Sequence, residues 1–188
     1  MSELFNLIKQ LSDYGRSYIF MEFELKKFKK GDEKSLRKNI NCWEISKNML
    51  SIPYPYSAKD ASDFLKKHLK IYKQKKPEYF GFKIEIDKEV AGSIGTGKIN
   101  RKHNNTVIGF WLGKKYWNKG IMTKALRQFT QYLFREFKLK KIYAYTFIFN
   151  KASQRVLEKA GFKREGELKK HFKKGNRYYD VYVYAKIK

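Results

Sequence analysis

The segment 119–137 constrains the fold of this chain more than any other. Met122, Ala125, Leu126, Phe129 and Leu133 recur along it at helical spacing, which predicts a long amphipathic helix with one face in a core. An apolar run at 106–112 precedes it. Another follows at 142–149 and is apolar on both faces, as expected of a central strand. Upstream, two runs at 79–86 and 90–99 are joined to each other and to 106–112 by short polar turns, the signature of an antiparallel meander. Downstream, Ser153, Val156, Leu157 and Ala160 share a face of a helix over 151–159 that Gly161 stops, and two last strands flank the turn at 173–176. Nearer the start, Leu4, Phe5, Ile8 and Leu11 predict a helix over 3–14, and residues 18–28 read as a strand. Asp32 is the expected cap of a helix of about ten residues. Ser57 and Asp60 form a capping box for a helix reaching about Gln74, with Ala61, Phe64, Leu65, His68 and Tyr72 on one face. After the first helix the order is β-α-α-β-β-β-α-β-α-β-β. This describes one mixed α/β (α+β) domain over residues 1–188, with a helical extension at 1–18.

A length of 188 residues suits a single core, and 42% hydrophobic with 17% aromatic residues excludes a disordered chain. The balance of 43 Lys+Arg against 18 Asp+Glu, a net +25, attracts polyanions: nucleic acid, anionic lipid or a phosphorylated cofactor. The abundance of Lys, Ile, Asn and Tyr assigns much of that charge to compositional bias. Cys42 is the one cysteine, so an intrachain disulfide and a thiolate metal cluster are both excluded, as suits a reducing cytoplasm. The start of the chain lacks the basic and apolar regions of a signal peptide, and no run is long enough to span a membrane. The three histidines are scattered without metal-ligand spacing, so no metal is expected.

The chemistry is concentrated in Ile108-Gly-Phe-Trp-Leu-Gly-Lys-Lys-Tyr-Trp-Asn-Lys-Gly-Ile-Met-Thr-Lys-Ala-Leu126. A strand ends near Leu112, a basic loop carries Lys114, Lys115 and Lys119, and Gly120 stands where the long helix begins. A helix N-terminus presents free N–H groups and the positive end of the dipole, and a glycine there admits a phosphate to the backbone. This reads as a pyrophosphate-binding turn or as an ordinary strand–helix connection. The spacing fits neither G-x-x-x-x-G-K-[ST] nor G-x-G-x-x-G. In Asn150-Lys-Ala-Ser-Gln-Arg-Val-Leu-Glu-Lys-Ala-Gly-Phe162, Asn150 closes one strand and caps the next helix, with Ser153 one turn on.

These two motifs, in this order, resemble the GNAT acetyltransferases. Within them they look like the RimJ/RimL branch of ribosomal-protein N-terminal acetyltransferases, from about Met21 to the C-terminus and including Ser51-Ile-Pro-Tyr-Pro-Tyr56. The resemblance implies a mixed, mostly antiparallel sheet of about seven strands with about four flanking helices. It also implies acetyl-CoA as cosubstrate, a core for it at about 104–165, and direct attack by an amine, most simply a protein N-terminus. By that likeness Trp117, Asn118, Lys119, Gly120, Ile121, Met122 and Thr123 wrap the CoA pyrophosphate. Phe110, Trp111 and Leu112 run beside the pantetheine arm where two parallel strands splay. Asn150 contacts the arm, Ser153 is the candidate acid for the thiolate, and Arg155 either contacts the cofactor or points to solvent. Tyr54, Tyr56 and His171 fall in the acceptor region. Relatives often dimerise, which leaves both a homodimer and a monomer open, and the charge suits a ribosomal or nucleic-acid setting.

Departures from the pattern matter too. Asn118 replaces a frequent glycine, which would restrict the turn. Met122 stands where a small residue is usual. Leu157 stands where other branches carry an acid tyrosine. Val107 occupies a position where many relatives have glutamate, so a general base is missing there. Glu44, His103 or His171 could serve through water, and Cys42 is the nucleophile of a rival covalent scheme. An α-amine, with a pKa of about 7.7–8.0, is neutral in roughly one copy in ten at pH 7, whereas a lysine amine is far less so; a site without a strong base therefore favours N-termini. The rival reading from another class is RNA binding, for which Phe80, Gly81 and Phe82 match part of an RNA-recognition signature. A non-catalytic CoA-binding GNAT is a third, and within the enzyme reading the alternative acceptors are a small-molecule amine or a protein lysine.

Overall fold

The computed structural model describes residues 23–188; the helix expected at 3–14 and the start of the strand expected at 18–28 lie outside the described residues. Seven strands form one sheet: β1 (Glu24–Lys26), β2 (Gly81–Ile86), β3 (Glu89–Thr96), β4 (Asn105–Leu112), β5 (Lys141–Phe147), β6 (Lys163–Lys174) and β7 (Arg177–Ile187). Their spatial order is β1-β2-β3-β4-β5-β7-β6. Every neighbouring pair is antiparallel except β4–β5, which is parallel. Parallel neighbours need a long crossover, and the helix read at 119–137 supplies it.

Five α-helices complete the described residues: α1 (Glu33–Ile40), α2 (Trp43–Ser46), α3 (Ala58–Ile71), α4 (Ile121–Glu136) and α5 (Lys151–Lys159). The sheet separates two cores. On one face Ile94, Ile108, Leu112 and Ile142 pack against Leu126, Phe129 and Leu133 of α4 and Leu157 of α5. On the other, Val90 and Trp111 meet Leu36 and Ile40 of α1 and Ala61 and Leu65 of α3. The apolar stripes that predicted the helices are the faces they bury. The one-turn α2 and the 3-10 turn Lys114–Tyr116 are too short to show a period, and the sequence gives no sign of them.

The capping box at α3 forms as read: Ser57 Oγ accepts from the Asp60 N–H at 3.1 Å, and Asp60 Oδ2 accepts from the Ser57 N–H at 2.8 Å. Asp32 corrects its expectation. It holds the N-cap position of α1, but its side chain makes no cap bond. Oδ2 accepts from the Lys29 N–H, and Oδ1 pairs at 2.8 Å with Lys83 Nζ, which is also 2.7 Å from Glu85. Lys83 is 1% exposed, so an ammonium in the core outbids a free helix N–H for the carboxylate. β5 is central as read, but its faces differ: Ile142, Ala144 and Thr146 are buried, whereas Tyr143 and Tyr145 are half-buried. Phe80 and Phe82 pack on each other and on Tyr132 at 5.0–5.6 Å. They form part of the core beside α4, not an open platform for stacking bases.

Candidate active-site cleft

β4 and β5 pair over only three residues, from Asn105↔Lys141 to Val107↔Tyr143. Beyond that, β4 continues against β3 alone and β5 against β7 alone. Two twisted strands that stop pairing diverge, and a cleft of about 1200 Å³ opens there. The register decides what faces it. The Gly97 N–H donates to the Val107 carbonyl and the Gly113 N–H to the Ala91 carbonyl. Residues 107, 109, 111 and 113 therefore bond toward β3, and the backbone groups of Phe110 and Leu112 point toward the gap. The Leu112 carbonyl accepts from Trp117 Nε1 at 2.7 Å. The Phe110 N–H and C=O are left to meet an extended ligand, as a missing strand would.

The same register aligns Gly81, Gly95 and Gly109 on three neighbouring strands. Opposed residues share a face, so these glycines form a bare strip on the side covered by α1 and α3. Gly109 is exposed in mid-strand, and a Cβ built on it meets nothing within 4 Å. A glycine inside a strand marks close approach of something to the backbone, and here the open space is the cleft itself.

One end of the cleft is the loop leading into α4. Gly120 (φ +73°) holds the N-cap of α4, with no side-chain cap and no acidic residue in the first turn. The Lys124 N–H is the first to bond back, to the Gly120 carbonyl, so the N–H groups of Ile121, Met122 and Thr123 have no acceptor within the helix. Asn118 adopts φ +61°, the left-handed region glycine would take. Asparagine tolerates it better than most residues, so the replacement does not close the turn as expected. Lys114 pairs with Glu44, and Lys115 lies 3.0 Å from Glu89, so carboxylates partly offset both ammonium groups.

Asn150 caps α5, its Oδ1 accepting from the Ser153 N–H at 3.1 Å. Half-buried Ser153 lines the cleft, and its hydroxyl makes no hydrogen bond to the described residues. Of the residues singled out from sequence, Phe110, Trp111, Leu112, Trp117, Asn118, Gly120, Ile121, Met122, Thr123, Asn150, Ser153, Arg155 and Tyr56 all line this one cleft. Lys119, Tyr54 and His171 do not. Tyr54 is 52% exposed, edge-on to Trp43, and His171 packs behind Tyr145 and Phe172, which do line it.

The other end lies under α1–α3. Buried Tyr56 joins the core there, its hydroxyl donating to the Asp60 carbonyl at 3.3 Å, and burial pushes its pKa up to about 12. Lys174 reaches from the β6–β7 hairpin to the Ser46 and Met49 carbonyls, the latter at 2.8 Å, and ties the loop after α2 over the cleft. Burial lowers its pKa. Glu44 also lines the cleft, but its hydrogen bonds from Lys114 and from Cys42 Sγ (3.1 Å) hold its carboxyl down at about 2. So weak a base is poorly suited to taking a proton from an ammonium. His103 is exposed on the β3–β4 turn, away from the cleft. Nothing in the sequence patterns singles out Gly95, Gly109, Tyr145 or His68 as site residues. Glycines inside strands were the available signal for the first two; His68 read as one more residue on the buried face of α3.

Among the described residues there is no cluster of metal-ligating side chains and no helix long and apolar enough to cross a membrane. The acetyltransferase (GNAT) domain family matches residues 22–163. The uncharacterised N-acetyltransferase YoaA of Bacillus subtilis is 29% identical over 132 residues, 70% of this chain and 75% of that protein. The spermidine N(1)-acetyltransferase of Escherichia coli is 29% identical over 119 residues, 63% of this chain and 61% of its own. Among solved structures, the microcin C7 self-immunity acetyltransferase MccE, in complex with acetyl-CoA and AMP, superposes with a TM-score of 0.79 at 23% identity over 88% of this chain and 92% of its own. RimL, the ribosomal L7/L12 α-N-protein acetyltransferase, in complex with CoA, gives 0.78 at 20% over 88% and 93%. A match across most of the chain, on a sheet parted between its two parallel strands, shows that this protein belongs to the GNAT acetyltransferase family.

Proposed function

We propose that the chain is an acetyl-CoA-dependent N-acetyltransferase that acts on the α-amine of a protein or peptide N-terminus by direct attack in a ternary complex. The observation that carries this reading is the parting of β4 and β5. It sets the unpaired backbone of Phe110, the uncapped start of α4 and the Ser153 hydroxyl along one cleft. In this reading the N–H groups of Ile121, Met122 and Thr123 receive the pyrophosphate, Phe110 pairs with the pantetheine arm, Arg155 contacts the cofactor, and Ser153 passes a proton to the departing sulfur. Acetyl-CoA supplies the activated acyl group. Asn150 orients the start of α5 that carries Ser153.

Charge favours an N-terminus over a polyamine. The described residues lining the cleft include one carboxylate, Glu44, already paired with Lys114, against Lys47, Lys67, Arg155 and Lys159. A polycation would be repelled at such a site, whereas a neutral or acidic peptide is accommodated. A cytoplasmic, ribosome-proximal setting goes with this reading. The test is calorimetric titration of acetyl-CoA into the wild type and Gly120→Trp at two salt concentrations, then turnover with an N-terminal peptide, an Nα-blocked lysine peptide and spermidine. Saturable binding lost in the variant, with the N-terminal peptide preferred, is expected. Absence of binding at low salt refutes the enzyme reading, and preference for spermidine or the lysine peptide refutes the acceptor.

A further inference from the structure

The reaction needs a proton acceptor, Val107 offers none, and Glu44 is too weak a base. The glycine strip leads to another. Gly109 lies where β4 leaves β5; Gly95 is opposite it on β3, and Gly81 opposite Gly95 on β2. Strands lie about 4.8 Å apart, so Gly81 is about 10 Å from Gly109 along a floor without side chains. At its far end stands His68 of α3, which lines the same cleft; its Nε2 lies 3.6 Å from where a Cβ of Gly81 would be. Its Nδ1 is 2.9 Å from the Phe64 carbonyl. A carbonyl only accepts, so Nδ1 carries the hydrogen and Nε2 keeps its lone pair. Among the described residues Nε2 has no hydrogen-bond partner. The ring is wedged at 4.1 Å from Phe64 and 5.0 Å from Phe28, which fixes its direction.

We propose that His68, seated over Gly81, is the proton acceptor of the acetyl transfer, reached through water lying over the Gly109–Gly95 part of the strip. This deepens the acetyltransferase reading and rests on it. An N–H bond of the acceptor ammonium breaks, its proton passes through water to His68 Nε2, and the imidazolium then releases it to solvent. The freed nitrogen pair forms the C–N bond as the C–S bond breaks. The second proton shed by the nitrogen balances the one taken up by sulfur. His68 acts through water as a positioning and proton-accepting group, without touching the reacting carbon.

The charges around His68 fit this role. Burial, and to a lesser extent Lys67 of its own helix, disfavour the imidazolium more than the Phe64 carbonyl favours it, so the pKa lies below the usual histidine value. From β2 and the start of α1 the charged groups are Lys83, Asp32 and Glu85, which pair with one another. The Tyr72 hydroxyl donates to the Gly81 carbonyl, and Lys27 lies over the Tyr72 ring.

The test uses the full chain. Nitrogen NMR of ¹⁵N-histidine-labelled protein should show His68 as the Nδ1–H tautomer, titrating below the usual histidine range. His68→Phe, which keeps the ring packing, and His68→Gln should each lower kcat for an N-terminal peptide at pH 7 about 10²-fold. Both should move the acidic limb of the kcat/KM profile up to the ionisation of the peptide α-amine at about 7.7–8.0, since only the neutral amine then reacts, and leave acetyl-CoA affinity by calorimetry within twofold; His103→Gln should leave that limb where it is. An unmoved acidic limb in either folded variant overturns the proposal, as does an Nε2–H tautomer in the wild type, a result that stands even if both variants fail to fold. Failure of the underlying reading looks different: the wild type itself neither binds acetyl-CoA nor turns over.

Discussion

Gly109→Val separates a blocked site from a damaged fold. A Cβ at Gly109 meets nothing within 4 Å, and its φ is not positive, so valine enters open space without backbone strain. Replacing a glycine inside a strand by a β-branched residue stabilises by up to about 1 kcal/mol. In a domain of this size that is a Tm unchanged or raised by up to about 4 °C. The same side chain fills the cleft where β4 and β5 part. Placing atoms where a bound molecule must lie costs about 1–3 kcal/mol, or a loss of about 5- to 150-fold in kcat/KM. Gly97→Ala is the contrast: its Cβ would collide with Val107 Cγ1, so it should lower Tm by about 2–12 °C. Differential scanning fluorimetry and acetyl-CoA consumption with an N-terminal peptide read both variants. Gly109→Val turnover within twofold of wild type, with Tm preserved, would refute the assignment of the cleft floor as the reaction path.

Three further outcomes follow from the same geometry. Lys83→Met leaves Asp32 and Glu85 in the core without their shared cation and should cost about 3–5 kcal/mol, a fall in Tm of about 6–20 °C by calorimetry; an unchanged Tm would show that the buried charges are not ionised. Asn150→Ala removes the α5 cap and should cost about 1 kcal/mol, a Tm lower by about 2–4 °C, and any smaller change would deny the cap. Glu44 has a folded pKa held near 2 by Lys114, below its ordinary 4.5. Its contribution to stability is therefore present above about pH 4.5 and lost as the pH falls toward 2. Wild type and Glu44→Gln should show a constant Tm difference at higher pH and converge between these values; the acidic limb of the rate profile should be the same in both.

Local order determined much of this molecule. The apolar period at 119–137 made α4, because one stripe of a helix must be buried wherever it docks. Ser57 and Asp60 made the start of α3, since both partners of a capping box lie within one turn. Gly120 before an uncapped helix marked the loop that closes one end of the cleft, and Asn150 with Ser153 marked α5; each is a contact between residues close in the chain. Pairings between distant segments were decided by the tertiary structure. Asp32 leaves the helix it precedes for Lys83, and Lys114 crosses to Glu44, because a charge is drawn to whichever opposite charge the packing brings nearest. The alignment of Gly81, Gly95 and Gly109 depends on strand register, which turns and a bulge in β2 set jointly. A shift of one residue would send these glycines to the opposite face. His68 illustrates the division: its helical position was legible, but the opening of its Nε2 onto a bare floor rather than into side chains belongs to the register of three strands.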